Sequence, residues 1–258
     1  MTNGMIANLA YMGEKIEECT SRDENKVGVL YGIGVGPGDP ELMTIKATRI
    51  MRECDVIVLP AATKEECYAY RIAKQICLNI DEKRLFCMPF PMIKEQSKLE
   101  KAHDEIFEKL EMELKNGRNV GFLTIGDPGV YSTYMYIHHR AEAAGYKAVM
   151  ISGVPSFCVA AARLGISLGE KSEEIHIIPG TYDIQKTFDY NGTCVYMKTG
   201  KQLMELIAAL WEQKRERRLL HVYGVSNCGM ENEKVYQGLT ELEQAQGYLT
   251  IVIVKMTD

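Results

Sequence analysis

The chain carries no surplus of positive charge: 30 Lys and Arg stand against 35 Asp and Glu among 258 residues, a formal net charge of −5. A surface that tracks nucleic-acid phosphates needs a basic excess, so no nucleic-acid partner is expected. Long apolar runs are missing as well. No segment approaches the roughly 18 consecutive apolar residues of a membrane span. The opening MTNGMIANLAYMGEKIEECT has no charged n-region, long apolar core or small-residue cleavage site. The expectation is a soluble cytoplasmic protein with no membrane contact.

Paired cysteines are absent. Cys19, Cys54, Cys67, Cys77, Cys87, Cys158, Cys194 and Cys228 are scattered, with no C-x-x-C. They read as free thiols in a reducing compartment, and those in apolar runs such as Phe86-Cys87-Met88 and Thr193-Cys194-Val195 as small hydrophobes. The histidines offer no ligand spacing either. His176 and His221 lie far apart in strand-like runs, His138 and His139 adjoin on one helix so that one packs and one faces solvent, and His103 in a charged helix is expected at the surface. No metal site is expected. No serine stands in G-x-S-x-G and no cysteine has a base nearby in sequence, so a nucleophilic hydrolase is excluded.

What is present is the composition of a globular chain, 46% apolar and 25% charged. Residues 1–26 are polar and weakly patterned, an N-terminal extension. Strands are expected at 27–33, 55–60, 84–88, 119–124 and 147–151, the second a continuous apolar run of the kind a parallel sheet buries on both faces. Helices are expected between them, at 65–79, 94–115 and 131–144, with another at 156–164. A further helix follows the first strand, with Leu42, Ile45, Ile50 and Met51 on its apolar face and Glu41 at its positive end. Strict alternation calls for a parallel sheet with crossover helices. The pattern pauses at 165–172. Strands at 175–178, 192–198, 219–225 and 247–255 then follow, with helices at 202–214 and 240–244. The fold class is α/β, with two α/β domains, 27–168 and 169–258, and a ligand cleft between them.

Three glycine- and proline-rich loops end strands of the first half, where open α/β sheets bind ligands. The first, Gly32-Ile33-Gly34-Val35-Gly36-Pro37-Gly38-Asp39-Pro40, resembles a dinucleotide turn, but the register of G-x-G-x-x-G fails. Pro37 and Pro40 remove N–H donors that a pyrophosphate would need, and Asp39 adds a negative charge. The second loop, Gly126-Asp127-Pro128, repeats a tight turn with a carboxylate, which either accepts from a ligand amine or hydroxyl or only shapes the turn. S-adenosylmethionine, with an adenosine, an ammonium and a sulfonium but no phosphate, suits such loops better than NAD or ATP.

The segment Gly34-Val35-Gly36-Pro37-Gly38-Asp39-Pro40-Glu41-Leu42-Met43-Thr44-Ile45-Lys46-Ala47 resembles the opening motif of the tetrapyrrole methylases. Gly126-Asp127-Pro128-Gly129-Val130-Tyr131-Ser132-Thr133 and Ser152-Gly153-Val154-Pro155-Ser156-Phe157 are similar to that family's second and third motifs, and Val195-Tyr196-Met197-Lys198 and the closing strand fit too. The resemblance spans about 27–256. It implies two α/β domains around S-adenosylmethionine in a homodimer. The cofactor contacts it implies are Pro37, Gly126, Asp127, Val130, Pro155, Ser156, Met197, Asn227 and Thr250, the last two on a weaker match. The Tyr-Ser-Thr of the second loop and the Val58-Leu59-Pro60 that ends strand two resemble the branch that methylates C20 of precorrin-2 or cobalt-precorrin-2 in corrin formation. Relatives acting on uroporphyrinogen III carry an aspartate where this chain has Pro60.

Alternatives within the family are uroporphyrinogen III or a later precorrin as substrate. Methylation of RNA or of a protein histidine fits the acidic charge and the second loop less well. A non-enzymatic tetrapyrrole carrier would have no reason to keep all the cofactor loops. Tyr131, the leading catalytic candidate, reads equally as an aromatic at a helix start or as a group facing the substrate; a catalytic role for His138 or His139 is the less favoured reading. Lys198 and Lys201 read either as partners of substrate carboxylates or as solvated side chains.

Overall fold

The computed structural model describes residues 27–91, 95–216, 219–245 and 247–257. The N-terminal extension and Cys19 therefore lie outside the described residues. Strands β1 (Leu30–Gly34), β2 (Val56–Leu59), β3 (Arg84–Cys87), β4 (Val120–Thr124) and β5 (Ala148–Ile151) form one sheet in the order β3-β2-β4-β1-β5. All of its pairings are parallel. Alternate residues of each strand serve opposite layers, as the two-residue period of a strand requires. Ile57, Leu59 and Leu123 share a core with Met51 of α1 (Ile45–Glu53) and Ile72 of α2 (Tyr68–Ile76). Val58 and Phe122 share the other with Leu110 of α3 (Gln96–Lys115) and Ile137 of α4 (Tyr134–Ala143).

This topology creates an opening. β1 and β4 are neighbours, yet the chain leaves β1 towards α1 on one face and leaves β4 towards α4 on the other. Loops that diverge from adjacent parallel strands leave a crevice at the carboxyl ends of those strands.

The second sheet runs β6-β7-β10-β8-β9, from β6 (Ile175–Pro179), β7 (Thr193–Met197), β8 (Leu219–Ser226), β9 (Lys234–Gln237) and β10 (Thr250–Thr257). Only β6 and β7 pair in parallel; the other pairings are antiparallel. One face carries Cys194, Val252 and Val254 against α6 (Leu203–Arg215) and α7 (Leu239–Leu242). The other carries Val195, Met197 and Ile253, which pack on Val159 and Ala160 of α5 (Ser156–Leu164). By chain order α5 closes the first half, but its buried side belongs to the second sheet, so this helix joins the two sheets.

Several local expectations are corrected. Glu41 does not open α1: Asp39 Oδ1 accepts from the Glu41 N–H and caps a short 3-10 turn, Pro40–Leu42. The helix starts after Thr44, whose hydroxyl accepts from the Ala47 N–H at 3.1 Å. Ile45 is 89% exposed and is no core residue. Strand β9 was not expected, because Tyr236 is its one buried side chain. His103 is 1% exposed, not a surface group; its ring stacks on Tyr136 with centroids 4.5 Å apart. Cys87 is exposed, whereas Cys194 is buried as expected. His138 packs and His139 faces solvent.

Glu113 near the end of α3 is 5% exposed. Its carboxylate meets Arg84 of β3 at 3.0 Å and Arg118 in the turn before β4. Replacing it by alanine removes two charge-assisted bonds, but both arginines are half-exposed and regain water. Glu113→Ala is therefore expected to cost about 1–3 kcal/mol. Urea unfolding should show a lower midpoint at unchanged slope; an unchanged midpoint would mean that the ion pairs contribute nothing net.

Candidate functional site

The crevice at the end of the first sheet is floored by backbone meeting backbone. Gly36 and Gly126 form an isolated antiparallel bridge, with N–H to carbonyl distances of 3.3 Å and 2.8 Å. Both take left-handed φ, +76° and +70°, open to glycine without strain. The third loop presses on the same point: a Cβ on Gly153 would stand 2.0 Å from the Gly126 carbonyl oxygen, and one on Gly34 2.6 Å from it. Only chains without side chains can meet at this separation.

Asp127 binds the second loop to itself and to the third. Its Oδ1 accepts from the Gly129 N–H at 2.7 Å and its Oδ2 from the Gly153 N–H at 3.0 Å. Thr44 adds a bond from its hydroxyl to the Ser152 carbonyl. The choice left open by sequence, ligand contact or turn shaping, finds the carboxylate engaged in shaping two loops.

This bonding also defines what the crevice can hold. The N–H groups of Gly36, Gly126, Gly129 and Gly153 are spent within and between the loops, and Pro37, Pro40, Pro128 and Pro155 have none. A pyrophosphate would find few donors. Room exists beside Gly126, where an added Cβ would have nothing nearer than the Val154 carbonyl oxygen at 3.9 Å and the Ser156 nitrogen at 4.0 Å. A ligand without phosphate, presenting its own donors and apolar surface, fits this donor set. That is the chemistry of S-adenosylmethionine.

The second sheet forms the opposite wall. A Cβ on Gly38 would lie 2.4 Å from the Cys228 carbonyl oxygen and one on Gly229 2.6 Å from the Asp39 nitrogen, so the first loop abuts the turn after β8. Glu233 holds that turn, accepting from the Gly229 N–H at 2.6 Å and pairing with Arg163 of α5 at 3.3 Å. On the other flank the Tyr131 hydroxyl donates to the Ile177 carbonyl of β6 at 2.9 Å, and the Lys198 ammonium donates to the Tyr131 carbonyl. Burial pushes the Cys228 thiol up to about 12, which keeps it protonated and inert. Among the described residues no group of three or more His, Cys, Asp and Glu could hold a metal ion, and no helix is long and apolar enough to cross a membrane.

The residues named as cofactor contacts, and Tyr131, fall in the loops and strand ends of this seam. Pro37 is in the first loop; Gly126, Asp127, Val130 and Tyr131 are in the second; Pro155 and Ser156 start α5. Met197 ends β7, Asn227 follows β8 with φ +52°, and Thr250 starts β10. Val130 and Met197 share one apolar cluster across the seam. Thr250 differs: its hydroxyl is fully buried and pairs with Ser226 Oγ at 2.8 Å. By strand alternation it shares the face of Val252, turned from the seam, so its backbone is what lies near the site. Sequence reading missed Arg163, Glu233 and Gly229, which hold the wall in place. No motif marks them, and only the glycine hinted at a turn.

If Asp127 acts by joining loops, Asp127→Ala should lower stability by about 1–3 kcal/mol, the cost of orphaning two N–H groups. Amide exchange at Gly129 and Gly153 should accelerate in the same variant. Unchanged stability and exchange would assign the carboxylate to a ligand instead.

Known proteins agree with this construction. Residues 29–243 match the family model of the Tetrapyrrole (Corrin/Porphyrin) Methylases. A probable cobalt-precorrin-2 C(20)-methyltransferase of Methanocaldococcus jannaschii is 34% identical over 230 residues, 88% of this chain and 95% of that one. The cobalt-precorrin-2 C(20)-methyltransferase of Salmonella typhimurium is 29% identical over 71% of this chain and 78% of its own. Uroporphyrin-III C-methyltransferase from Thermus thermophilus, solved with S-adenyl homocysteine, shares the fold with a TM-score of 0.66 at 18% identity, covering 88% of this chain and 97% of that one. With two α/β sheets meeting at a glycine crevice and a match over most of its length, this chain belongs to the tetrapyrrole methylases.

Proposed function

We propose that this protein methylates C20 of a precorrin-2-type macrocycle, cobalt-precorrin-2 or precorrin-2, in corrin formation, with S-adenosylmethionine as donor. The observation that carries the reading is the near end-to-end similarity to a relative named for that reaction. It is supported by a crevice whose loop N–H groups are already paired and which therefore suits a ligand without phosphate. The same reading takes the protein as a homodimer, as the family resemblance implies, in the reducing cytoplasm that its unpaired cysteines suit.

When bound, S-adenosylmethionine supplies a methyl group on a sulfonium that needs no further activation. The chain's part is to hold and align. Pro37, Gly126, Val130, Pro155 and Ser156 would line the cofactor on the side of the first sheet, and Met197, Asn227 and the Thr250 backbone on the side of the second. Asp127 would serve through the two loops it joins. Rigid loops matter because alkyl transfer depends on bringing the reacting atoms to about 3–3.5 Å in line. The apolar cluster around Val130 and Met197 keeps water from the reacting centre. Tyr131 is 44% exposed at the mouth of the seam and its hydroxyl is bonded to the Ile177 carbonyl. It enters this proposal as a wall facing the substrate, and no proton transfer is assigned to it.

Pro60 stands directly after β2. It can neither take a proton nor donate a backbone hydrogen bond. Both methylations release one proton overall; a pyrrole carbon of uroporphyrinogen III needs help with that loss to regenerate a pyrrolenine, while a meso carbon in the partly conjugated precorrin-2 is enamine-like and attacks with less help. Oxygen-free incubation with S-adenosylmethionine and each substrate, followed by mass spectrometry, tests the proposal. Gain of one methyl on cobalt-precorrin-2 or precorrin-2, and none on uroporphyrinogen III, is expected. No product from either precorrin overturns the assignment, and efficient turnover of uroporphyrinogen III overturns the argument from Pro60.

A further inference from the structure

Four described residues other than glycine hold left-handed φ: Tyr131 (+47°), Lys171 (+52°), Lys198 (+55°) and Asn227 (+52°). Three of them border the seam, and two of those touch each other. The conformation is unfavourable for a residue with a side chain and persists only where the surroundings fix it. At Lys198 they do. A Cβ on Gly180 would lie 2.2 Å from the Lys198 carbonyl oxygen, so the chain after β7 is hemmed in from behind. The strained backbone sends the lysine side chain across the seam to the Tyr131 carbonyl.

The charge there is uncompensated. Lys198 is half-buried, and among the described residues its ammonium has one partner, a neutral carbonyl, and no carboxylate within ion-pair distance. An ammonium has three donors, and two of them have no protein partner among the described residues. Loss of water draws its pKa below the ordinary lysine value, with no acidic neighbour to oppose the shift. A cation removed from water without a counter-ion is costly. Here it stands one residue from Met197 and against the residue after Val130, beside both walls of the proposed cofactor site.

We propose that Lys198 is a carboxylate-binding residue of the cleft, its ammonium anchored on the Tyr131 carbonyl and its remaining N–H donors receiving a carboxylate of the bound ligand. This rests on the methyltransferase reading, in which two ligands bring carboxylates: the amino-acid end of the cofactor and the acidic side chains of the macrocycle. The shared chemistry is a charge-assisted bond, which would both neutralise the buried charge and lock the second loop against β7 once the ligand is in place.

Wild type, Lys198→Gln and Lys198→Arg separate the possibilities by calorimetry. Three probes are used: S-adenosylhomocysteine, its decarboxylated analogue, and uroporphyrin III as an air-stable tetrapyrrole polycarboxylate. Glutamine keeps a donor for the Tyr131 carbonyl but loses the charge; arginine keeps the charge. If the cofactor carboxylate is received, Lys198→Gln weakens S-adenosylhomocysteine by roughly tenfold or more and leaves the decarboxylated analogue unchanged. If the ring carboxylate is received, the loss of about the same size falls on uroporphyrin III alone. Lys198→Arg should stay near wild type in either case, which shows that charge and not folding is read. Wild-type affinity of Lys198→Gln for all three probes overturns the inference, as does an arginine variant that loses binding together with the glutamine one. Failure of wild type to bind any probe overturns the methyltransferase reading itself, and this inference with it.

Discussion

Everything at the site depends on the closeness of three backbones. Gly34, Gly36, Gly126 and Gly153 meet where a single added carbon on Gly34 or Gly153 would sit within 2.6 Å of a carbonyl oxygen. The Gly36–Gly126 bridge and the two bonds to Asp127 turn three loops from separate strand ends into one rigid floor. Surface loops ordinarily move more than the elements they connect. These are held by hydrogen bonds to one another, so the floor inherits the rigidity of the sheet. An activated methyl donor asks for alignment more than for proton transfer, and a floor of this kind supplies alignment.

The same bonding gives the crevice its selectivity. Glycine-rich turns at strand ends bind phosphate when their N–H groups point outwards and are unpaired. Here they are paired within and between the loops, and the prolines remove others. A motif that resembles a nucleotide turn in composition is thus unfit for pyrophosphate by its hydrogen-bond accounting. The distinction is visible in the sequence as prolines at 37, 40, 128 and 155, and in the structure as partners already found for Gly36, Gly126, Gly129 and Gly153.

Much of the fold was legible because its signals are local. Val56–Leu59 is apolar at every position and buried at every position, and each strand of the first sheet ends near glycine, proline or a charged cluster. Periodicity failed where one residue serves two neighbours. α3 is charged overall, yet His103 lies between Phe90 and Tyr136, a contact between elements that composition cannot forecast. β9 was illegible because an edge strand with one buried residue has no alternation to show. The floor of the site was legible through its motifs. The opposite wall was not, since Gly38 against Cys228, Arg163 against Glu233 and Tyr131 against Lys198 join residues far apart in the chain.

Those distant contacts explain why the two halves hold one geometry. α5 packs on the second sheet through Val159 and Ala160, and hydrophobic burial of this kind fixes proximity without fixing angle. Direction comes from the polar contacts at either end of the seam: Arg163 to Glu233 at one, Tyr131 to Ile177 and Lys198 at the other. Each end ties an element of the first half to one of the second, and each lies beside a residue held at left-handed φ, Asn227 at the first and Tyr131 with Lys198 at the second. Strain of that kind is sustained only where neighbouring contacts over-determine the backbone. The seam therefore has an apolar middle that excludes water and polar, strained ends that set its width. A reaction governed by the separation of two atoms is best housed where width, rather than acidity, is the quantity under control.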